Sequence, residues 1–493
     1  MRTGRSELIL IFLLCLVAGV RVFIFSAAFP FFSNIDEDLH FDLVTRYSLG
    51  HVPRTFDLLS EETLAWIVPY GSPEFLHRPD EFPGARFPAP LWKQSPAESA
   101  AEIAVTKAAW SGEINFESSQ PPLYYALGAL WWRFGHLIGL TGIQALYWIR
   151  FLNVLLVAIL VWLGYVAGRN VDPEHADLRI GVPLLLAFIP HNVFYSLNND
   201  VLSALCGGAL FVCVLAWLQT EEPTLSLGAI TGLAMAAAYL TKLANLPLIL
   251  VALIAIIAKL LSILRQKSAP ALGTFVAFFL CVAIPIASWL FWSEHHFGDL
   301  TGSTTKMMIL GWTRKPFADW WHHPIFTARG SSMFWSELIA SFWRGEMRWQ
   351  NKSLSWPVAD RFYAASSLLL LCAAAIGLRR RAGLSRFQQQ AILFAGTSFL
   401  ASVAFLALLS IQFDFGSCIN PSRAHPYFTS GRLLSGALVP FALVYVYGIS
   451  WLFRRVAAAL PLILIILIVV FAMTSGILIN RDVFASEHNW FHR

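Results

Sequence analysis

The chain has 493 residues, 57% of them hydrophobic and 13% charged, with 39 phenylalanines. Ordinary soluble proteins are about 25% charged, so this composition excludes that class and marks an all-α polytopic membrane protein. The net charge of +5 does not argue for nucleic acid, because the bases sit beside apolar runs or in one long loop, where orientation and headgroup contact account for them. Five of the six cysteines, Cys15, Cys206, Cys213, Cys281 and Cys372, fall inside apolar runs and read as small hydrophobes. Cys418 alone lies in a polar loop, which supports neither a disulfide framework nor a cysteine zinc site.

The first apolar run, Leu8 to Phe29, follows Arg2 and Arg5 and is expected to enter the bilayer with its N-terminus in the cytoplasm. Ser26-Ala27-Ala28 imitates a cleavage site, but the length of the run and Arg21 within it favour a retained span. Arg21 either snorkels to the interface or faces an anionic ligand. Next comes Asn34-Ile35-Asp36-Glu37-Asp38-Leu39-His40-Phe41. Asp36 and His40 are four apart and share a helical face, while Leu39, Leu43, Val44 and Tyr47 form an apolar flank. Asn34 followed three residues later by Glu37 fits a capping box, which gives Glu37 a structural reading beside an acidic one.

Residues 30–147 form a first outer loop without an uninterrupted span. Its tail, Gln120-Pro121-Pro122-Leu123-Tyr124-Tyr125 followed by Ala126 to Leu140, is short and carries Trp131, Trp132, Arg133 and His136, which suits a helix lying in the interface. The following spans are expected over Trp148–Gly168, Ile180–Tyr195, Val201–Leu218, Leu225–Thr241, Leu246–Leu264, Leu272–Trp292, Phe362–Leu378, Ala391–Ile411, Leu433–Phe453 and Ala457–Ile479. With about eleven spans, Arg169, Arg179, Lys259, Arg265, Lys267, Arg379-Arg380-Arg381 and Arg454-Arg455 all face the cytoplasm, as the positive-inside rule asks. No soluble domain boundary interrupts residues 1–493, which read as one transmembrane module.

The outer face then gathers nearly every unusual polar residue. Asp200 in Asn198-Asn199-Asp200 is either a helix N-cap or a second acid beside Asp36. Lys242 either snorkels or meets a ligand, and Gly431 before Arg432 lets backbone approach a ligand closely. The second large outer loop, residues 293–361, holds His295-His296 and His322-His323, whose spacing makes no persuasive zinc site. Its tryptophans either anchor it among headgroups or stack on sugars, and the basic run Arg344 to Lys352 either contacts lipid phosphate or is solvated.

Asp36-Glu37 with His40 after the first span, Gln120-Pro121-Pro122-Leu123-Tyr124-Tyr125, Asn199-Asp200, Thr241-Lys242, Ser341-Phe342-Trp343 and Ser430-Gly431-Arg432 stand in an order that resembles the GT-C superfamily of membrane glycosyltransferases. That superfamily includes aminoarabinose transferases and protein O-mannosyltransferases, and the chain is most similar to its poorly characterised bacterial relatives. The resemblance implies transfer of a sugar from a polyprenyl-phosphate donor to a glycan, lipid or protein acceptor on the extracytoplasmic side of a bacterial inner membrane, with inversion. It implies Asp36 as the base with Glu37 beside it, and His40, Gln120, Tyr124, Asp200, Lys242, Arg432 and Arg21 as substrate-binding groups. A divalent cation, Mg or Mn, is the one cofactor it leaves open. The sequence departs from the aminoarabinose transferases at Gln120, a neutral amide where they carry a phosphate-binding lysine. A lipid or sugar transporter is the rival class, opposed by the apolar character of the mid-span positions, and a catalytically inactive scaffold of the same fold is the third reading.

Overall fold

The computed structural model describes residues 4–265, 271–380, 383–416, 418 and 421–492. Lys267 and Arg381, expected on the cytoplasmic side, lie outside the described residues. The first span, α1 (Arg5–Ala28), is an unbroken apolar helix that stops where Pro30 biases Phe29 out of helical geometry. Five short helices fold over that end: α2 (Glu37–Ser48), α3 (Glu61–Tyr70), α4 (Pro96–Trp110), α5 (Leu123–Leu137) and α6 (Gly142–Arg150). The 15 residues of α5 reach about 22 Å, short of a bilayer core. It is locked to α6 by Trp131 and Trp148, whose rings stack at 4.3 Å while each indole N–H donates to the other's backbone carbonyl. Leu130, Phe134 and Leu137 stay exposed along it.

Next, α7 (Leu152–Val171), α8 (Ala176–Phe188), α9 (Asp200–Gln219), α10 (Leu225–Thr241), α11 (Leu246–Arg265) and α12 (Ala271–Phe297) pass back and forth. A second large loop holds α13 (Ser303–Ile309), β1 (Thr313–Arg314), the amphipathic α14 (Ala328–Arg344), β2 (Arg348–Trp349) and β3 (Lys352–Ser353). The chain closes with α15 (Pro357–Arg379), α16 (Arg386–Gln412), β4 (Phe413–Asp414), α17 (Leu438–Phe453) and α18 (Leu460–Phe484). The strands form only two ribbons, β1 with β4 and β2 with β3. Nine helices of the described residues are long and apolar enough to cross a membrane; of the other two expected spans, α10 is a shorter apolar helix of 17 residues and α8, at 13 residues, reaches only about 20 Å. Hydrophobic all round, α17 takes the centre, as a helix without a polar face must.

One expected span is different. The apolar run Ile180–Tyr195 is not a single helix, because α8 starts earlier, at Ala176, and ends at Phe188, two residues before Pro190. Residues 189–199 then run, buried, through a short 3-10 turn at Asn192–Tyr195 and irregular backbone on either side of it to the start of α9. Backbone at that depth needs internal partners. Arg21 donates to the Ile189 carbonyl at 2.8 Å, Asn153 to those of Phe194 and Ser196, and Asn198 to that of Val193. At 5% exposure Arg21 does not snorkel; it props this leg and bonds the Tyr195 hydroxyl.

Ion pairs tie off the two ends of the bundle. At one end Arg179 meets Glu7 at 3.0 Å, and Arg454 meets Asp177 at 2.6 Å. At the other end the segment after α18 returns to the first loop, where the Ser486 hydroxyl bonds the Glu74 carboxylate.

Candidate active site

The residues singled out after the first span meet at this second end. Asp36 is the N-cap of α2 but sits in the left-handed region, at φ 62° and ψ 25°. Few residues other than glycine tolerate that conformation, aspartate among them. Its carboxylate makes no capping bond to α2. Instead Oδ2 accepts from Arg432 Nη2 at 2.5 Å.

Glu37 explains why the turn holds. It does not form the capping box expected with Asn34, whose side-chain oxygen accepts from the Arg348 N–H instead. The Glu37 carboxylate takes two bonds from Arg150, both at 2.6 Å, and one each from the Ser33 and Leu197 N–H groups at 2.7 Å. Both side chains of the Glu37–Arg150 pair are wholly buried. Arg150 also donates to the carbonyls of Ser26, Phe29 and Pro30, so one guanidinium binds the end of α1 to the start of α2. A fully desolvated bidentate pair outweighs a local cap.

Arg432 is the second residue of the 3-10 turn Gly431–Ala437 that leads into α17. Its guanidinium lies between two carboxylates, with Nε 3.7 Å from Glu346 and Nη1 donating to the Ile35 carbonyl. Glu346 in turn accepts from the Ser430 hydroxyl and the Arg432 N–H, each at 2.9 Å. Burial raises the Glu346 carboxyl, and the Arg432 guanidinium pulls against that rise. The close approach expected of Gly431 is made to protein rather than to a ligand. A Cβ at Gly431 would lie 2.0 Å from the Phe342 amide nitrogen in α14. Ser341 completes this pin by accepting from the Gly431 N–H and donating to the Thr429 carbonyl. Gly431→Ala is therefore expected to lower stability by about 1–3 kcal/mol, through displacement of α14 backbone, and thermal unfolding in detergent checks it.

A second group of polar residues adjoins this one. Asp200 is the first residue of α9, with Asn199 as the cap, and its carboxylate pairs with Lys242. The N-cap reading of Asp200 is thereby replaced by an ion pair. Lys242, 7% exposed at the C-cap of α10, is not snorkelling either. Asp200 Oδ2 and Asn199 Oδ1 are buried without a hydrogen-bond partner among the described residues. Gln120 bridges the first loop to α9, donating to Glu117 at 2.5 Å and accepting from Asn199 at 3.5 Å. At Glu117 burial opposes ionisation, but Lys306 at 2.8 Å outweighs it and holds the carboxyl down to about 2. His40 Nδ1 lies 2.9 Å from the Tyr125 hydroxyl, and Tyr124 is wholly buried beside it.

Two histidines here carry a pH dependence. Burial pushes the imidazoles of His40 and His191 down to about 4 from an ordinary 6.5. The half-buried Asp38 runs the other way, pushed up to about 7 by burial, Asp36 and Glu113. Each histidine's contribution to stability is complete above 6.5 and is lost as pH falls toward 4, because the unfolded chain then binds the extra proton. The Asp38 contribution is complete below 3.8 and is lost as pH rises through 7. Two groups outweigh one, so stability is expected to rise between about pH 4 and pH 6.5. His191→Asn leaves His40 opposed by Asp38 alone, so it is expected to abolish that rise in the thermal midpoint.

Of the sequence-chosen residues, Asp36, His40, Gln120, Tyr124, Asp200, Lys242 and Arg432 come together, Glu37 anchors the group from behind, and Arg21 lies beneath it. Arg150, Glu346, Glu117 and Lys306 were not singled out. Arg150 heads an apolar run, so the reasoning applied to Arg21 had equal force there. The four carboxylates Asp36, Glu117, Asp200 and Glu346 each meet a cation rather than one another. Among the described residues no group of three or more His, Cys, Asp or Glu side chains is gathered to hold a metal. With side-chain exposures of 23% for Asp36, 22% for Glu346 and Lys306 and 18% for Arg432, these groups form the accessible edge of a cluster in which His40, Asp200 and Lys242 are buried.

The profile of the family described as predicted membrane protein (DUF2142) matches residues 20–419. No curated protein matches the sequence. Among solved structures, the chain is similar to an Archaeoglobus fulgidus oligosaccharyltransferase in the apo form, at 10% identity and a TM-score of 0.38. That likeness covers 75% of this chain and 48% of the other, so the chain spans about half the length of that protein.

Proposed function

The chain belongs to the DUF2142 family of predicted membrane proteins, and from the carboxylate–guanidinium pair at one end of its bundle we propose that it transfers a sugar from a polyprenyl-phosphate donor to an acceptor. The observation that carries this reading is the Asp36–Arg432 pair itself, a base and an anion-binding cation 2.5 Å apart at the accessible edge of a buried polar cluster. The positive-inside rule supports an extracytoplasmic site, since Arg179, Arg265, Arg379 and Arg454 all stand at the opposite end. A bacterial inner membrane fits this layout.

In the proposed reaction Asp36 removes the proton from an acceptor hydroxyl or amine. The freed pair attacks the anomeric carbon from the face opposite the phosphate, the carbon–oxygen bond to phosphate breaks, and the configuration inverts. The phosphate leaves with the bonding electrons and needs cations rather than an acid. Arg432 and Lys242 supply them. Without ligand both cations are held by carboxylates, so a donor phosphate competes with Asp36 for Arg432. Winning that competition frees the base at the moment the donor is seated. Glu37 acts as a positioning residue through Arg150, not as a second base, because every oxygen direction it has is occupied. His40, Gln120 and Tyr124, with the open acceptors on Asp200 and Asn199, are left to bind sugar and acceptor hydroxyls.

Purified protein in lipid, given radiolabelled polyprenyl-phosphate sugars and an acceptor panel of glycans, lipids and peptides, tests the proposal. Transfer by the wild type is expected. Donor that binds and crosses the bilayer without being transferred points to a transporter, while binding with neither event fits a scaffold.

A further inference from the structure

We propose that a second site, on the loop between α12 and α15, holds the phosphate of an anionic membrane lipid. A cavity of about 400 Å³ opens there, with Arg314, Lys315, Asp319, His322 and Asp414 on its walls. Its depth relative to the bilayer is set by the fold. The ribbon of β1 with β4 places Arg314 against Phe413, and the Lys315 N–H donates to the carbonyl of Gln412, the last residue of the span α16. The cavity thus begins within a residue or two of where a membrane helix ends, which is the level of lipid headgroups.

Its charge suits an anion. Among the described residues neither Arg314 nor Lys315 makes an ion pair, whereas Asp414 is engaged by Arg423 at 3.1 Å and by the Gly416 N–H. Asp319 and Asp414 both act on Lys315, and with Arg423 counted beside Arg314 and Lys315 three bases face two acids, leaving one net positive charge. His323 is not a third cation. Its Nε2 meets the Pro426 carbonyl at 3.0 Å and its Nδ1 accepts from the Ile325 N–H, which fixes it neutral as part of the wall.

The surroundings select lipid over soluble phosphate. The turn Phe317–His322 that forms one wall exposes Phe317 and Trp321 by 65% each, and the next turn, Pro324–Phe326, exposes Phe326 by 56%. Rings left bare beside bases are what the headgroup layer accommodates and bulk water does not. A soluble phosphate would need the bases and ignore the rings, while a phospholipid engages both. This assignment is independent of the glycosyl-transfer reading and involves none of its residues.

Full-length protein reconstituted in nanodiscs of an equimolar phosphatidylcholine–phosphatidylglycerol mixture provides the test, with native mass spectrometry reading the lipids retained on release. Choline compensates its own phosphate, so the wild type should keep phosphatidylglycerol preferentially. Changing both Arg314→Gln and Lys315→Gln is expected to lower that preference roughly tenfold. Lys352→Gln, an exposed base elsewhere on the same end, should leave it unchanged. Phe317→Ser with Trp321→Ser should also lower it. Equal loss from the Lys352 control, or no loss from the Arg314 and Lys315 pair, overturns the site. Displacement of the lipid by free glycerol 3-phosphate with the ring variant still binding normally overturns the lipid as its occupant. All five substituted positions are on the loop surface, so matched thermal midpoints confirm that each variant is folded.

Discussion

Arg150→Met is expected to destabilise the protein by about 3–5 kcal/mol, the largest stability effect of any single change considered. The methionine fills a similar volume, so the loss is electrostatic. It leaves the Glu37 carboxylate with two backbone N–H donors and no cation, at a position with no exposure at all. It also strips the carbonyls of Ser26, Phe29 and Pro30 of their donor where α1 gives way to α2. Glu37→Gln alone should be damaging for the converse reason, a buried guanidinium without its counter-charge. The double variant Glu37→Gln with Arg150→Met is expected to recover part of the loss, since neither charge is then stranded. Thermal unfolding in detergent, followed by tryptophan fluorescence, measures all three. An Arg150→Met midpoint indistinguishable from the wild type would show that the pair does not hold the Asp36 turn.

That pair also shows where reading the sequence stops. Arg150 and Glu37 are 113 positions apart, and nothing local to either announces the other. Spans were legible because bilayer depth is written in runs of apolar residues, and a run needs no partner to be recognised. The same signal misled over Ile180–Tyr195. Apolarity there reports burial, while helicity fails near Pro190, and only the donors on Arg21, Asn153 and Asn198 make the irregular leg tolerable. Asp36, Asp200, Lys242 and Arg432 stood out as polar residues at span ends, and that criterion finds a site whose members are far apart in sequence. It missed Glu346 because a lone acid among Arg344, Arg348 and Lys352 reads as part of a basic surface. Gly431 was noticed for a real property, close backbone approach, but the sequence does not say what approaches; Phe342 does.

Asp36→Asn is expected to reduce sugar transfer by about 10²- to 10⁴-fold, the range over which a positioned base contributes. The amide keeps the shape and can still meet Arg432, but it accepts no proton from the acceptor. Its effect on donor binding has the opposite sign. In the wild type a donor phosphate must displace the Asp36 carboxylate from Arg432, and a neutral amide competes more weakly. The variant is therefore expected to bind donor more tightly while transferring almost none. Arg432→Gln should do the reverse on the first measurement, weakening donor binding, and should also lower transfer by about 10²- to 10³-fold because the leaving phosphate loses its nearest cation. A variant that was merely misfolded would lose both binding and transfer, so the split identifies a base held in check by its neighbour. Titrating a fluorescent polyprenyl-phosphate sugar into each protein, alongside single-turnover transfer, reads both quantities. Equal donor affinity in wild type and Asp36→Asn would leave Asp36 as a base without the competition. Transfer unchanged in Asp36→Asn would remove it from the chemistry altogether.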